Sequence, residues 1–198
     1  MLPIPTVGLT TACVVGIDPG TVKLGISVIE FDVVTFEVVK IESVTLDGDK
    51  LPSSQWTGRL YGDRARRVES LEYHLLQRFE DVQPFGIASE APFYNQKRPN
   101  AYAALMEVIC GIRSAVRGYS VSKPLYLIDP PSVKKAVGAA GNADKVAVQA
   151  AIIKHPVISS KLTVPITTLD EHSLDATAVA YWLLQMYHRG AMNMSTAI

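Results

Sequence analysis

Residues 12–21 read ACVVGIDPGT. Small and branched apolar residues run into one acid, Asp18, and Pro19-Gly20 turns the chain at once. That pattern predicts a short buried central strand with a carboxylate at its end. Residues 86–90, GIASE, repeat it, and close on Glu90. Two such strands side by side would bring Asp18 and Glu90 together at one edge of a sheet, the end where ligands collect in α/β folds.

Outward from these strands, residues 24–30 and 33–46 are rich in Val, Ile, Phe and Thr and predict two more strands, parted near Asp32. Residues 50–58, with Pro52, Ser53 and Ser54, read as a polar loop. Helical spacing follows over 59–79, with Arg64, Arg66 and Arg67 on its polar face, and over 98–117. Leu125 to Ile128 predict a fifth strand. Pro130-Pro131 open a short helix to about Val137, since proline is tolerated in a first turn. A Gly- and Ala-rich loop over 138–142 precedes helices over 143–154 and 170–188. Three meander strands followed by alternating helix and strand predict a mixed five-stranded α/β sheet flanked by helices.

The 198 residues, 48% hydrophobic and 19% charged, suit a single globular domain over 1–198, with 1–11 and 190–198 as flexible termini. Cys13 and Cys110 sit among apolar neighbours and read as reduced core thiols. No stretch is long and apolar enough for a membrane span, and no basic leader precedes the first apolar residues, so a cytoplasmic protein is expected. The formal net charge is zero, which argues against a simple nucleic-acid-binding module. Its distribution is uneven: residues 1–96 carry a net −5, 97–154 a net +6 and 155–198 a net −1. A basic middle beside acidic ends fits a polyanion held next to a cation.

Half-buried acids are costly unless something positive meets them. Asp18, Glu90 and the pair His172-x-x-Asp175, which shares one face of the last helix, together call for a hard, oxygen-seeking cation such as Mg²⁺. Each has an ordinary alternative: a turn aspartate, a surface glutamate, a solvated histidine. Asp170 reads as the cap of the last helix, so it and Glu171 carry less weight. Phe93 and Tyr94 could stack on bases or simply pack; Lys134, Lys135 and Lys145 could meet phosphates or water. Asp18-Pro-Gly-Thr…Gly25 alone also fits the phosphate loop of an actin-like nucleotide binder.

Taken in order, Gly16-Ile-Asp18-Pro-Gly20…Gly25, Glu90-x-x-Phe93, Pro131-Ser-Val-Lys134-Lys-Ala-Val137…Gly141-Asn-Ala-Asp-Lys145 and His172-x-x-Asp175-Ala176-x-Ala178-x-Ala180 resemble the RuvC family of Holliday-junction resolvases, within the RNase H-like superfold. The resemblance spans roughly residues 13–188. It implies a homodimeric endonuclease that nicks two opposing strands of a four-way DNA junction symmetrically. Asp18, Glu90, His172 and Asp175 would then bind two Mg²⁺ ions, with Mn²⁺ as a possible replacement, and Lys145 would join the catalytic set. Phe93, Arg98, Lys134, Lys135 and Lys145 would contact DNA. The N-terminal segment, the long 31–58 region and the neutral net charge depart from the family pattern, and the length differences suit a phage-encoded member. A less selective nuclease for branched or flapped DNA, and a junction-binding protein without catalysis, are the competing expectations.

Overall fold

A computed structural model describes residues 10–94, 96, 97 and 99–195. Five strands form one sheet in the order β3-β2-β1-β4-β5. They are β1 (Thr11–Asp18), β2 (Lys23–Asp32), β3 (Val38–Asp47), β4 (Gly86–Glu90) and β5 (Leu125–Ile128). β1, β2 and β3 make an antiparallel meander, while β4 and β5 run parallel to β1. The expected mixed α/β sheet, RNase H-like in its strand order, is therefore present.

Among the described residues seven α-helices cover it: α1 (Gln55–Tyr61), α2 (Asp63–Val82), α3 (Pro99–Tyr119), α4 (Pro130–Ala136), α5 (Lys145–Lys154), α6 (Pro156–Lys161) and α7 (Glu171–Ser195). The strands alternate sides with a period of two, which divides the core into two layers. Val15, Ile17, Leu24, Ile26, Val28 and Ile87 pack against α2 and α3. Val14, Ile29, Phe31, Ile41, Ala88 and Ile128 pack against α4 to α7. Asp18 is in phase with Val14, and Glu90 with Ala88, so the alternation puts both acids on the α7 side.

α7 lies unusually close to the sheet because glycines floor its path. A Cβ at Gly16 would run into the backbone of Ala176 and Ala180, and one at Gly25 into the carbonyl of His172. Only hydrogen fits there. The side chains of Ser27, Ser43 and Thr177 bridge the same interface, with 2.7 Å between Ser43 Oγ and each of the other two hydroxyls. Thr177 also donates to the carbonyl of Ser173 at 2.8 Å, so these hydroxyls are satisfied despite their burial.

Some boundaries differ from the sequence expectation. The strand expected from residue 33 begins at Val38, because Asp32 Oδ1 accepts from the backbone N–H groups of Val34 and Thr35 and locks a turn. The expected helix over 59–79 is two helices broken at Gly62, whose φ of 88° interrupts the helical path, and α1 occupies much of the expected polar loop. α6 was not anticipated. α7 continues seven residues beyond the expected end at His188, so residues 190–195 are helical; 1–9 and 196–198 lie outside the described residues. Both cysteines are free thiols; Cys13 donates to the carbonyl of Val82, but Cys110 is exposed rather than core. Among the described residues no helix is long and apolar enough to cross a membrane.

Candidate active site

β1 and β4 are neighbours, with Ile17 paired to Ser89, so Asp18 and Glu90 close adjacent strands at the same end. β4 pairs Glu90 with Ile128 of β5, and Ala91 N–H donates to the Ile128 carbonyl, which extends the ladder past the acid. On the other flank Asp18 pairs with Gly25, the residue that admits the first turn of α7. Asp170 caps that turn by accepting from Ser173 N–H at 3.0 Å, as the sequence suggested. α7 thus starts directly over Asp18 and turns His172 and Asp175 toward the strand ends.

His172 Nδ1 lies 2.8 Å from Asp18 Oδ2. This contact raises the imidazole above its ordinary pKa. Glu90 is pushed up to about 7, first by burial and then by the negative charges of Asp18 and Asp175. Asp175 rises to about 6 for the same two reasons, burial and then Asp18. Three acids thus share a half-buried space with too little positive charge. Lys134 and Lys145 pull the Glu90 value down without cancelling the rise.

An all-oxygen acid set with one imidazole fits a hard divalent cation by donor chemistry. Among the described residues no three His, Cys, Asp or Glu side chains converge into a finished cage. The Asp18–His172 hydrogen bond takes one lone pair of Asp18 Oδ2, and both carboxylate oxygens keep lone pairs that could meet a cation.

The lysines take up different positions. α5 is capped by Asp144, which accepts from Ala147 N–H, and this places Lys145 at its first position. Lys145 Nζ reaches Glu171 Oε2 at 2.8 Å and feels the charges of Asp175 and Asp18. Lys134 instead donates to the Ala143 carbonyl at 2.7 Å, bracing the loop before α5. Lys135 is exposed. Phe93 is 71% exposed on the loop after Glu90, with Tyr94 beside it stacked edge-on against Tyr102. Arg98 lies outside the described residues.

Sequence reading set Glu171 aside, yet it contacts both Lys145 and His172, the latter at 3.6 Å. An acid at a helix start is common for reasons of the helix dipole alone, and nothing in its local sequence distinguishes it. Only the packing of α5 against α7 does.

A five-stranded mixed sheet in this strand order, with helices on both faces, is the RNase H-like fold. No protein-family model matches the chain. No curated protein sequence matches it either. Among solved structures it resembles Thermus thermophilus RuvC (TM-score 0.64, 21% identity, 90% of this chain and 96% of that one). It also resembles T. thermophilus RuvC in complex with Holliday-junction substrate (0.64, 20%, 86% and 92%). The yeast mitochondrial Holliday junction resolvase Ydc2 is similar over 86% of this chain and 77% of its own (0.57, 12%). The fold is that of the RuvC-type resolvases.

Proposed function

We propose that the protein is a Mg²⁺-dependent endonuclease that resolves four-way DNA junctions by paired symmetric nicks. The observation that carries this reading is the juxtaposition of Asp18 and Glu90 on adjacent strand ends, facing Asp175, with Glu90 at about 7 from burial and mutual repulsion. Carboxylates held this way are kept for a cation or a proton, and a fold shared with RuvC favours the cation.

Asp18, Glu90, Asp175 and His172 would hold Mg²⁺, which when bound supplies Lewis acidity toward the attacking water and the leaving oxygen. The protein's own side chains do the rest. Lys145, at the mouth of the site, binds the phosphate flanking the scissile bond and offsets its growing negative charge. Lys134 stiffens the loop that presents Lys145 and lowers the charging cost of Glu90. His172 holds the Asp18 carboxylate in place through Nδ1. Phe93, exposed just past Glu90, would wedge against unpaired bases, and Arg98 and Lys135 would add phosphate contacts. Paired cuts need two copies of the site, so the working form is a homodimer.

The test is a labelled four-way junction and a matched linear duplex, each with Mg²⁺, Mn²⁺ or EDTA, with the cuts mapped. Paired symmetric nicks that need both the junction and the metal are expected. Equal cutting of flap, duplex and junction would replace the reading with a general nuclease, and tight junction binding without cuts would replace it with a binding module.

A further inference from the structure

The segment between residues 48 and 62 builds a surface that the active site does not explain. α1 buries none of its seven residues. It exposes Trp56, Leu60 and Tyr61 at 70, 69 and 76%. So short a helix with no buried face has little stability of its own, and its position is imposed by its flanks. On the N-terminal side, Arg66 donates to Asp49 and Ser53, and Ser70 donates to the Pro52 carbonyl. Arg67 donates both to Asp49 and to the Thr21 carbonyl. On the C-terminal side, Gly62 turns the chain into α2, and Gly58 lets α1 lie against the Arg66 stem.

These bonds fix α1 relative to the catalytic end of the sheet. Thr21 belongs to the Pro-Gly turn that follows Asp18, and Asp47, which closes β3 ahead of α1, pairs with Lys23 at the same end. The exposed face has a distinct chemistry. The Arg59 guanidinium sits 5.6 Å from the centre of the Trp56 ring and has no ion-pair partner among the described residues. Trp56 therefore offers flat aromatic surface beside an uncompensated cation, and Tyr61 adds a second exposed ring at the end of the helix. Phe93 and Tyr94 are exposed after Glu90, at the same end of the sheet.

We propose that α1 is a stacking platform for unpaired DNA bases flanking the cut site, with Trp56 and Tyr61 taking base faces and Arg59 the adjoining phosphate. This rests on the reading of the protein as a nuclease of branched DNA. Charge favours DNA as the occupant, because Arg59 complements a polyanion. Size favours it as well: three side chains on two helical turns fall far short of the roughly 800 Å² per partner of a stable protein interface. One aromatic–base stack, by contrast, changes affinity by about 5- to 150-fold on its own.

The experiment uses the full chain carrying Asp18→Asn, so that DNA is bound with Mg²⁺ but not cut. It is titrated with a four-way junction and a flap containing 2-aminopurine at the branch, and with linear duplex. Trp56→Ala is expected to weaken branched-DNA binding about tenfold and to remove quenching of 2-aminopurine, while duplex affinity holds and Trp56→Phe restores most of the loss. Tyr61→Ala is expected to act in the same direction. If both alanine variants bind and quench like the parent, the platform is refuted while the nuclease reading stands. If Trp56→Ala separates copies of the chain in sedimentation without changing DNA affinity, the surface is a protein interface and the proposal fails. If the parent binds no branched DNA, the nuclease reading falls, and the platform with it.

Discussion

Glu171 pairs with Lys145, the lysine proposed to meet phosphate. Its ion pair with Lys145 is half exposed on both sides, and such solvent-screened pairs contribute little. An incoming phosphate can therefore displace it at small cost. Glu171→Gln should lower the KM for junction DNA about two- to fivefold with kcat nearly unchanged. Glu171→Asp should do the same, since it keeps the negative charge at the helix start but shortens the reach to Lys145. A fall in kcat at constant KM would instead make Glu171 the residue that aims Lys145. The acids themselves predict a pH dependence. Glu90, near 7, and Asp175, near 6, both titrate above their unfolded values. The folded chain thus binds those protons more tightly, and the contribution of these two acids to stability is fully present below about pH 4 and is lost as pH rises toward 7. His172, also raised, is a base whose stabilising contribution likewise fades as pH rises through its folded value. The signs agree. In EDTA the Tm should drop between pH 5 and 7.5 by on the order of 5 °C. Glu90→Gln should flatten that slope, and Mg²⁺ should raise the Tm more at pH 7.5 than at pH 5. A flat EDTA profile would mean the acids do not repel one another.

At the scale of elements, the contact of α7 with β1 and β2 decides whether the site assembles. Gly25→Ala places a methyl group against the His172 carbonyl, backbone that cannot swing aside. The expected result is a start of α7 lifted off the sheet, cleavage reduced at least 100-fold, and a Tm lowered by several degrees as for an overpacked core. Wild-type cleavage by that variant would show that α7 is free to slide. Thr177→Val tests the hydroxyl bridge separately. It leaves Ser43 one partner short and should cost about 1–3 kcal/mol in denaturant unfolding, with residual activity in the folded fraction. The same element explains what was legible in advance. Asp18 and Glu90 stood out because an apolar strand gains nothing from a terminal acid, and His172 with Asp175 because their spacing is helical. α1 did not stand out, because it buries no face and so leaves no periodic signal. α6 was hidden by its six-residue length and by His155, which both follows α5 and caps α6. Lys134 looked like a phosphate ligand in sequence, but its bond to the Ala143 carbonyl depends on how a loop closes.

For the whole molecule, zero net charge conceals a basic middle segment, residues 97–154, which supplies α4 and α5 beside the acidic strand ends. Junction binding should therefore depend on salt despite the neutral total. Lys135→Ala should lower the slope of log affinity against log salt by about 0.9 if that exposed lysine meets a phosphate. An unchanged slope would leave it a solvated surface residue. The order in which the chain supplies its parts has a consequence of its own. Asp18 and His172 touch across 154 positions of sequence. On a ribosome the strand bearing the first acid emerges long before the helix that completes the set. Until then the glycine floor of the sheet stays bare and the acid cluster lacks His172 and Asp175. A nascent chain of this protein thus carries its strand-end acids unassembled for most of its synthesis, and the cluster forms only when α7 docks.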